Sequence, residues 1–210
     1  MMERFRNFDF RKHMPSLVFT LVAVAFIAGA GAITVYLGLY NIAADAPHSR
    51  MTYSVMETFR ERSIAARSGS IAVPTDLAAP ARIASGAGLY TEMCSGCHLA
   101  PGMEKTEMSQ GLYPQAPILF KGSNRSASEQ FWIIKHGIKM TAMPAWGKTH
   151  DDRLIWDMVA FVRKLPGLSP AQYQAMTQDP PMDHDAMMKG MTEAEGASQE
   201  PSGAGEHAGH

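Results

Sequence analysis

The chain has 210 residues, a length that predicts one domain of ordinary size with appendages rather than two full domains. Its formal net charge of −1 gives no electrostatic reason to expect nucleic-acid binding. The sequence contains 2 cysteines, at positions 94 and 97, so a framework of several disulfides is excluded.

The first predicted element is an apolar helix from Leu17 to Tyr40, which follows a short N-terminal segment, residues 1–16. At about 1.5 Å rise per residue, roughly 24 residues extend about 36 Å, enough to cross a hydrocarbon core of about 30 Å. We therefore predict a transmembrane helix in contact with the lipid bilayer. The alternative is a cleaved signal peptide, whose apolar region is normally about 7–15 residues long.

Basic residues flank this helix on its N-terminal side, at Arg4, Arg6, Arg11 and Lys12, whereas residues 41–48 contain no Lys or Arg. The positive-inside rule then predicts a cytoplasmic N-terminus. In a bacterium the protein would cross the inner (cytoplasmic) membrane once, and the remainder of the chain would lie in the periplasm.

Residues 41–80 are predicted as a stalk helix and a linker. The helix runs from His48 to Ser68, and it either lies on the membrane or packs on the domain that follows. The linker, from Gly69 to Pro80, has two prolines and no periodicity.

Residues 81–177 form the predicted compact domain, which is all-α. Its first helix, from Arg82 to Ser95, contains Gly86 and Gly88. A glycine inside a helix costs about 1 kcal/mol relative to alanine, so another element is expected to approach this helix closely.

The rest of the domain is predicted as a long loop and three further helices. The loop runs from Leu99 to Arg125, and the second helix begins at Ser126 or Ser128 and ends at Gly137. The third helix has an apolar stripe, with Thr149 as its predicted cap and Pro166 as its stop. A short helix from Ser169 to Met176 closes the domain.

The C-terminal tail, residues 178–210, lacks aromatic and β-branched apolar residues and is predicted to be disordered. Thioether and imidazole groups are copper ligands, so the tail is either a copper-binding segment or a low-complexity segment without a ligand. The candidate copper ligands are Met182, His184, Met187, Met188, Met191, His207 and His210.

The sequence Cys94-Ser95-Gly96-Cys97-His98 has the spacing C-x-x-C-H. Two thiols one helical turn apart can each add to a vinyl group of a porphyrin, and the following imidazole can bind the iron. The motif therefore predicts one covalent haem c. A thioredoxin-like pair would need a preceding strand, a zinc site would need a second pair of ligands, and a disulfide would leave His98 unexplained.

The second axial position of the iron requires another ligand or stays open. Met143 is the predicted ligand, because it lies in the loop between the second and third helices and Pro144 rigidifies the backbone beside it. A thioether stabilises Fe(II), as an electron carrier requires. Met140 lies three residues earlier but lacks a following proline, and His136 is predicted to be an ordinary polar residue at a helix end.

Two tryptophans, Trp132 and Trp146, are expected to pack in the haem pocket, where an indole N–H can bond a propionate. As plain core residues they would look the same in the sequence.

Residues 81–165 resemble class I cytochrome c, close to single-haem domains with an H-G-I-K-x-T-x-M-P-A-W loop. Many relatives have glycine where this chain has Ala142. The matching motifs occur in family order and are Gly86 with Tyr90, Cys94-Ser95-Gly96-Cys97-His98, Ala116-Pro117-x-Leu119, His136-Gly137-Ile138-Lys139, Met143-Pro144, and Trp156-x-x-x-Ala160-Phe161.

The resemblance implies particular roles for residues of this chain. It implies that Met143 is the distal ligand and that the carbonyl of Pro117 accepts a hydrogen bond from His98. It also implies a crossing of the first and last helices at Gly86 and Phe161.

We therefore predict a membrane-anchored electron carrier without enzyme activity of its own. Its donor would be a quinol-oxidising complex or a dehydrogenase, and its acceptor a terminal oxidase or reductase. Two alternatives stay open: a haem peroxidase or sensor with an open distal position, and a copper-handling protein. The lysines that are candidates for guiding a partner are Lys105, Lys121, Lys135, Lys139 and Lys148.

Overall fold

The computed structural model describes residues 16–178, and this part of the chain is helical with no strand. Contacts divide the chain into two units, with the division between Ala46 and Pro47. The α-helices are α1 Leu17–Tyr36, α2 Arg50–Ser68, α3 Pro80–Met93, α4 Ser95–His98, α5 Glu107–Gly111, α6 Ala127–His136, α7 Asp152–Lys164 and α8 Pro170–Thr177.

Helix α1 is, within the described residues, the helix long and apolar enough to cross a membrane, with a mean hydropathy of 2.3. Its 20 residues extend about 30 Å, which matches the hydrocarbon thickness of a bilayer. It ends at Tyr36 rather than at Tyr40, because the chain turns at Gly38, whose φ is +62°. A signal sequence near the N-terminus passes the same test of length and composition.

Helix α2 packs on α6 of the compact domain, which is one of the two arrangements that the sequence left open. Ile64 and Ser68 lie on the packed face and are 1% and 4% exposed. The segment before the helix is also tied to the domain, because the backbone N–H of His48 donates to the hydroxyl of Tyr113 at 3.0 Å.

Helices α3 and α7 make the central contact of the domain, and they cross at Gly86. A Cβ atom at Gly86 would lie 2.0 Å from the carbonyl oxygen of Asp157 and 2.8 Å from the Cβ of Phe161. The predicted crossing of Gly86 with Phe161 is therefore present. Gly88 has nothing within 4 Å of such an atom, so the expectation of close approach was wrong for this second glycine.

Local hydrogen bonds explain where α6 and α7 begin. Ser126 and Glu129 form a capping box at the start of α6, as predicted for one of the two serines. The cap of α7 is Asp151, whose carboxylate accepts from the N–H of Leu154 at 2.8 Å, and not Thr149. The Thr149 hydroxyl is engaged elsewhere, 2.9 Å from Nδ1 of His150.

The predicted loop between residues 99 and 125 contains two short helical segments. Helix α5 is capped by Thr106, whose hydroxyl accepts from the N–H of Ser109 and donates to the carbonyl of Gly96. A 3-10 turn follows at Leu119–Lys121. Segments this short carry no detectable hydrophobic period, which is why the sequence pattern did not predict them.

The first and third predicted helices also differ at their ends. The first begins at Pro80, which suits an N-terminal helical position, and its α-helical path is interrupted at Cys94. The third predicted helix continues past Lys164 into a 3-10 turn, Leu165–Gly167. Pro166 therefore lies in a tighter last turn and does not end the helical path.

Candidate cofactor site

The C-x-x-C-H motif forms a single helical turn that continues from the end of α3. The N–H of Cys94 bonds to the carbonyl of Tyr90 at 2.9 Å, and the N–H of His98 bonds to the carbonyl of Cys94 at 2.9 Å. Helix α4 therefore carries Cys97 and His98 directly after Cys94. Both cysteines are free and half-buried, so two thiols and one imidazole are presented together.

The imidazole of His98 has a fixed orientation and tautomer. Its Nδ1 lies 2.8 Å from the carbonyl oxygen of Pro117, which can only accept, so Nδ1 carries the proton and donates. Burial lowers the pKa of His98, and the bond to Pro117 opposes that shift. The result is a neutral ring with the Nε2 lone pair available, the form that binds a metal.

The two cysteine thiols differ in their surroundings. Burial raises the pKa of Cys94 to about 12, and the neighbouring Cys97 adds to the shift. Cys94 is therefore a protonated thiol at neutral pH, and addition to a vinyl group would consume that S–H.

A cavity of about 330 Å³ opens beside the motif. This volume lies within the range of about 300–1,000 Å³ that is typical of small-molecule and cofactor sites. Most of its wall is apolar. The candidate site residues that line it are Cys94, Cys97, His98, Pro117, Met143 and Trp146.

Two cations line the same cavity, Arg60 from α2 and Arg125, which directly precedes the cap of α6. Among the described residues of its wall, none is Asp or Glu. Haem carries two carboxylates, and the two guanidinium groups in the cavity wall are suitable hydrogen-bond donors for them. Two thiols, a neutral imidazole, a thioether and two guanidinium groups together fit a covalent haem.

The two methionines of the loop between α6 and α7 have different surroundings. Met143 is half-buried, lines the cavity and packs against the core. Met140 is 77% exposed, its φ is +58°, and it does not line the cavity. The structure therefore brings Met143, and not Met140, to the cavity that His98 also lines.

The structure does not bring Trp132 to this cavity. Trp132 packs on His136 with ring centroids 5.2 Å apart, and both residues line a separate groove beside α2. Trp146 does line the cavity, in a 3-10 turn after Met143. Of the two tryptophans expected in the pocket, one lies there.

Gly137 controls the path of the Met143 loop. Its φ is +64°, and a Cβ atom there would lie 2.7 Å from the carbonyl oxygen of Met143. That carbonyl accepts from the N–H of Ile138 at 3.1 Å, and the N–H of Met143 bonds to the Thr141 hydroxyl at 3.1 Å. The backbone of Met143 is thus held against the end of α6.

Replacing Gly137 with alanine is expected to displace this loop, because alanine is disfavoured at positive φ and its methyl group would meet backbone atoms. We expect a loss of about 1–3 kcal/mol in the free energy of unfolding, measured by denaturant titration. Gly167→Ala is the control, since nothing lies within 4 Å of its Cβ position. Equal stability of the two variants would contradict the expected strain.

Sequence reasoning missed three features of the site. Arg60 and Arg125 belong to no recognisable sequence motif, because an arginine on an amphipathic helix or beside a helix cap looks like an ordinary solvent-exposed residue. Tyr90 was recognised as a family position, but its buried hydroxyl also bonds the carbonyl of Leu99 at 2.6 Å, directly after His98. Leu99 adopts a φ of +59° at this point.

The seven candidate copper ligands in the tail lie outside the described residues. Within residues 16–178, no group of three or more His, Cys, Asp or Glu side chains is arranged to hold a metal ion.

Comparison with known proteins identifies the domain around this site. The family model described as cytochrome c oxidase, cbb3-type, subunit III matches residues 81–162. No curated protein and no solved structure matches the chain. The family match supports haem c binding and electron transport by this domain. Residues 81–162 are therefore a class I c-type cytochrome domain, similar to subunit III of cbb3-type oxidases.

Proposed function

We propose that the protein is a membrane-anchored, periplasmic electron carrier with one covalent haem c, ligated by His98 and Met143. The observation that carries this proposal is the shared cavity. Cys94, Cys97, His98 and Met143 all line it, although they come from two segments more than 40 residues apart along the chain.

Each of these residues has a distinct task in the proposed site. Cys94 and Cys97 would hold the haem by thioether bonds, and His98 would bind the iron through Nε2. Pro117 fixes the His98 ring and increases its basicity by accepting from Nδ1. Haem, when bound, supplies the Fe(II)/Fe(III) couple. Met143 would favour the reduced state, as a thioether ligand does.

Electron transfer requires little movement of the surrounding protein, and the packing of the domain is suited to that. The C-x-x-C-H motif is supported by α7, which has nine buried residues, and by the buried residues of α3. Met143 and Trp146 pack on the same core. A wall of this kind excludes water and limits reorganisation when the charge of the iron changes.

Helix α1 supports a membrane anchor by its length and composition. An anchor would keep the domain at high effective concentration near other membrane proteins. We propose a quinol-oxidising complex or a dehydrogenase as the donor, and a terminal oxidase or reductase as the acceptor. Lys135 lies 2.5 Å from Asp152, so the exposed Lys105, Lys121, Lys139 and Lys148 are better candidates to guide an acidic partner.

A peroxidase or sensor would need an open position on the distal side of the iron. The presence of the Met143 side chain in the wall of the cavity favours the carrier over these alternatives.

The full chain, expressed in a bacterium that matures c-type cytochromes, provides the test. We expect one haem per chain that stays with the polypeptide after denaturation and acid–acetone extraction, and that is lost from the Cys94→Ala/Cys97→Ala double variant. The protein should sediment with the inner membrane and retain its N-terminal residues by mass spectrometry. Extractable haem, or rapid binding of carbon monoxide by the loaded protein, would contradict the proposed carrier.

A further inference from the structure

Helix α2 lies outside the residues that match the family model, yet it is fixed on the cytochrome domain. Its buried Ile64 packs at the interface, and Glu61 forms an ion pair with Arg125, directly before the cap of α6. Upstream, the His48 N–H donates to the Tyr113 hydroxyl. A helix held at several points along its length contributes a permanent part of the surface beside it.

The residue that α2 contributes to the haem cavity is Arg60. Its guanidinium bonds to Glu57 on the same helix, and its Nε lies 3.5 Å from the carboxylate of Glu61. Glu61 also accepts from Arg125, the second cation of the cavity, and that bond lowers the pKa of Glu61. Glu61 thus positions both guanidinium groups from outside the cavity.

We propose that α2 is part of the haem site and that Arg60 binds one of the two haem carboxylates. This inference rests on the proposed attachment of haem in the cavity. A half-buried carboxylate requires a charged hydrogen-bonding partner, and a guanidinium group has five N–H donors. The bonds described for Arg60 use Nη2 and Nε, which leaves Nη1 for a further acceptor.

The charges around Arg60 make its effect on a bound haem carboxylate larger than the effect of an isolated cation. Glu57, Glu61 and Glu129 surround the two arginines, so this cluster already has a net charge of −1 before a haem carboxylate arrives. Without Arg60, the Glu57 and Glu61 carboxylates would remain near that haem carboxylate, with Arg125 as the remaining cation of the cavity wall. Loss of Arg60 therefore removes an attraction and leaves a repulsion in its place.

The sign of the effect on the haem follows from electrostatics. A cation near the iron favours the reduced state, which carries one positive charge less than the oxidised state. Removing Arg60 should lower the midpoint potential. It should also raise the pKa of the haem carboxylate, and so move the pH range over which the potential changes to higher values.

The test compares Arg60→Gln with Arg62→Gln in the full-length, haem-loaded protein. Arg62 lies on the same helix but is exposed and does not line the haem cavity, so its charge is screened by solvent. Potentiometric titration at several pH values should show a lower midpoint and a shifted pH profile in Arg60→Gln alone. Arg60→Lys, which restores the charge without the fork of donors, should recover part of the shift.

Measurements of haem content and folding distinguish failure of the Arg60 proposal from failure of the proposed function. Far-UV circular dichroism and covalent haem content should match the wild type in both Gln variants. If Arg60→Gln does not fold, the potential and pH profile of Arg60→Lys are compared with those of the wild type instead. Loaded Arg60→Gln with the potential and pH profile of Arg62→Gln would overturn the role of α2 and leave the carrier intact. Absence of covalent haem from the wild type would instead overturn the proposed function itself.

Discussion

Replacement of Gly86 by alanine is expected to destabilise the cytochrome domain by about 3 kcal/mol or more. The added methyl carbon would lie 2.0 Å from the carbonyl oxygen of Asp157, and a backbone atom cannot move aside as a flexible side chain can. Helices α3 and α7 would have to separate. Their separation would disturb the buried contact between Tyr90 and Phe161, whose ring centroids are 5.4 Å apart.

This loss is large against the total stability of a small domain, which is about 5–15 kcal/mol. It should appear as a lower midpoint in chemical denaturation and as a poor yield of haem-loaded protein. Gly88→Ala is a matched control two residues further along the same helix. Nothing lies within 4 Å of its Cβ position, so alanine there should stabilise the helix by about 0.5–1 kcal/mol. Similar destabilisation of both variants would contradict this explanation, because alanine improves helix propensity at both positions and only Gly86 has a close backbone contact.

Replacement of Met143 by alanine is expected to abolish the charge-transfer band between a methionine thioether and Fe(III) completely. The midpoint potential should fall, because the ligand that favours Fe(II) is lost. The vacated position should admit carbon monoxide or another small ligand. Optical spectra of the oxidised and reduced haem-loaded protein, with a redox titration, measure all three effects.

Met140→Ala provides the comparison for this experiment. Met140 belongs to the same loop, and its replacement also removes a thioether group. Met140 is, however, 77% exposed and lies outside the haem cavity. We expect its spectrum and potential to match the wild type. A band that persists in Met143→Ala but disappears in Met140→Ala would reverse the assignment, and a wild-type protein without the band would favour an open distal position.

The parts of the structure that were predictable from the sequence are those with short-range causes. The C-x-x-C-H spacing requires one helical turn, and the apolar stripe of α7 requires a buried face. The glycine at position 86 indicated a helix crossing because its cost inside a helix needs compensation. Each of these features is determined within a few residues of the chain.

The features that were not predictable depend on contacts between distant segments. Thr149 and Asp151 are both good cap residues, but in the structure Asp151 caps α7 while the Thr149 hydroxyl lies 2.9 Å from Nδ1 of His150. Trp132 faces α2 rather than the haem cavity because of how α2 packs on α6. Arg60 reaches the cavity for the same reason, and no local pattern distinguishes it from Arg62.

The packing of α2 and α8 has a consequence for how this protein can be divided. Homology covers residues 81–162, but Ile64 precedes that range and Tyr173, 7% exposed, follows it. A fragment cut at the homology limits would lose the Glu61–Arg125 ion pair and the hydrogen bond between the hydroxyls of Thr91 and Tyr173. The smallest piece expected to fold as described runs from Pro47 to at least Thr177. We therefore expect the cooperative folding unit to be longer at both ends than the segment shared with the family.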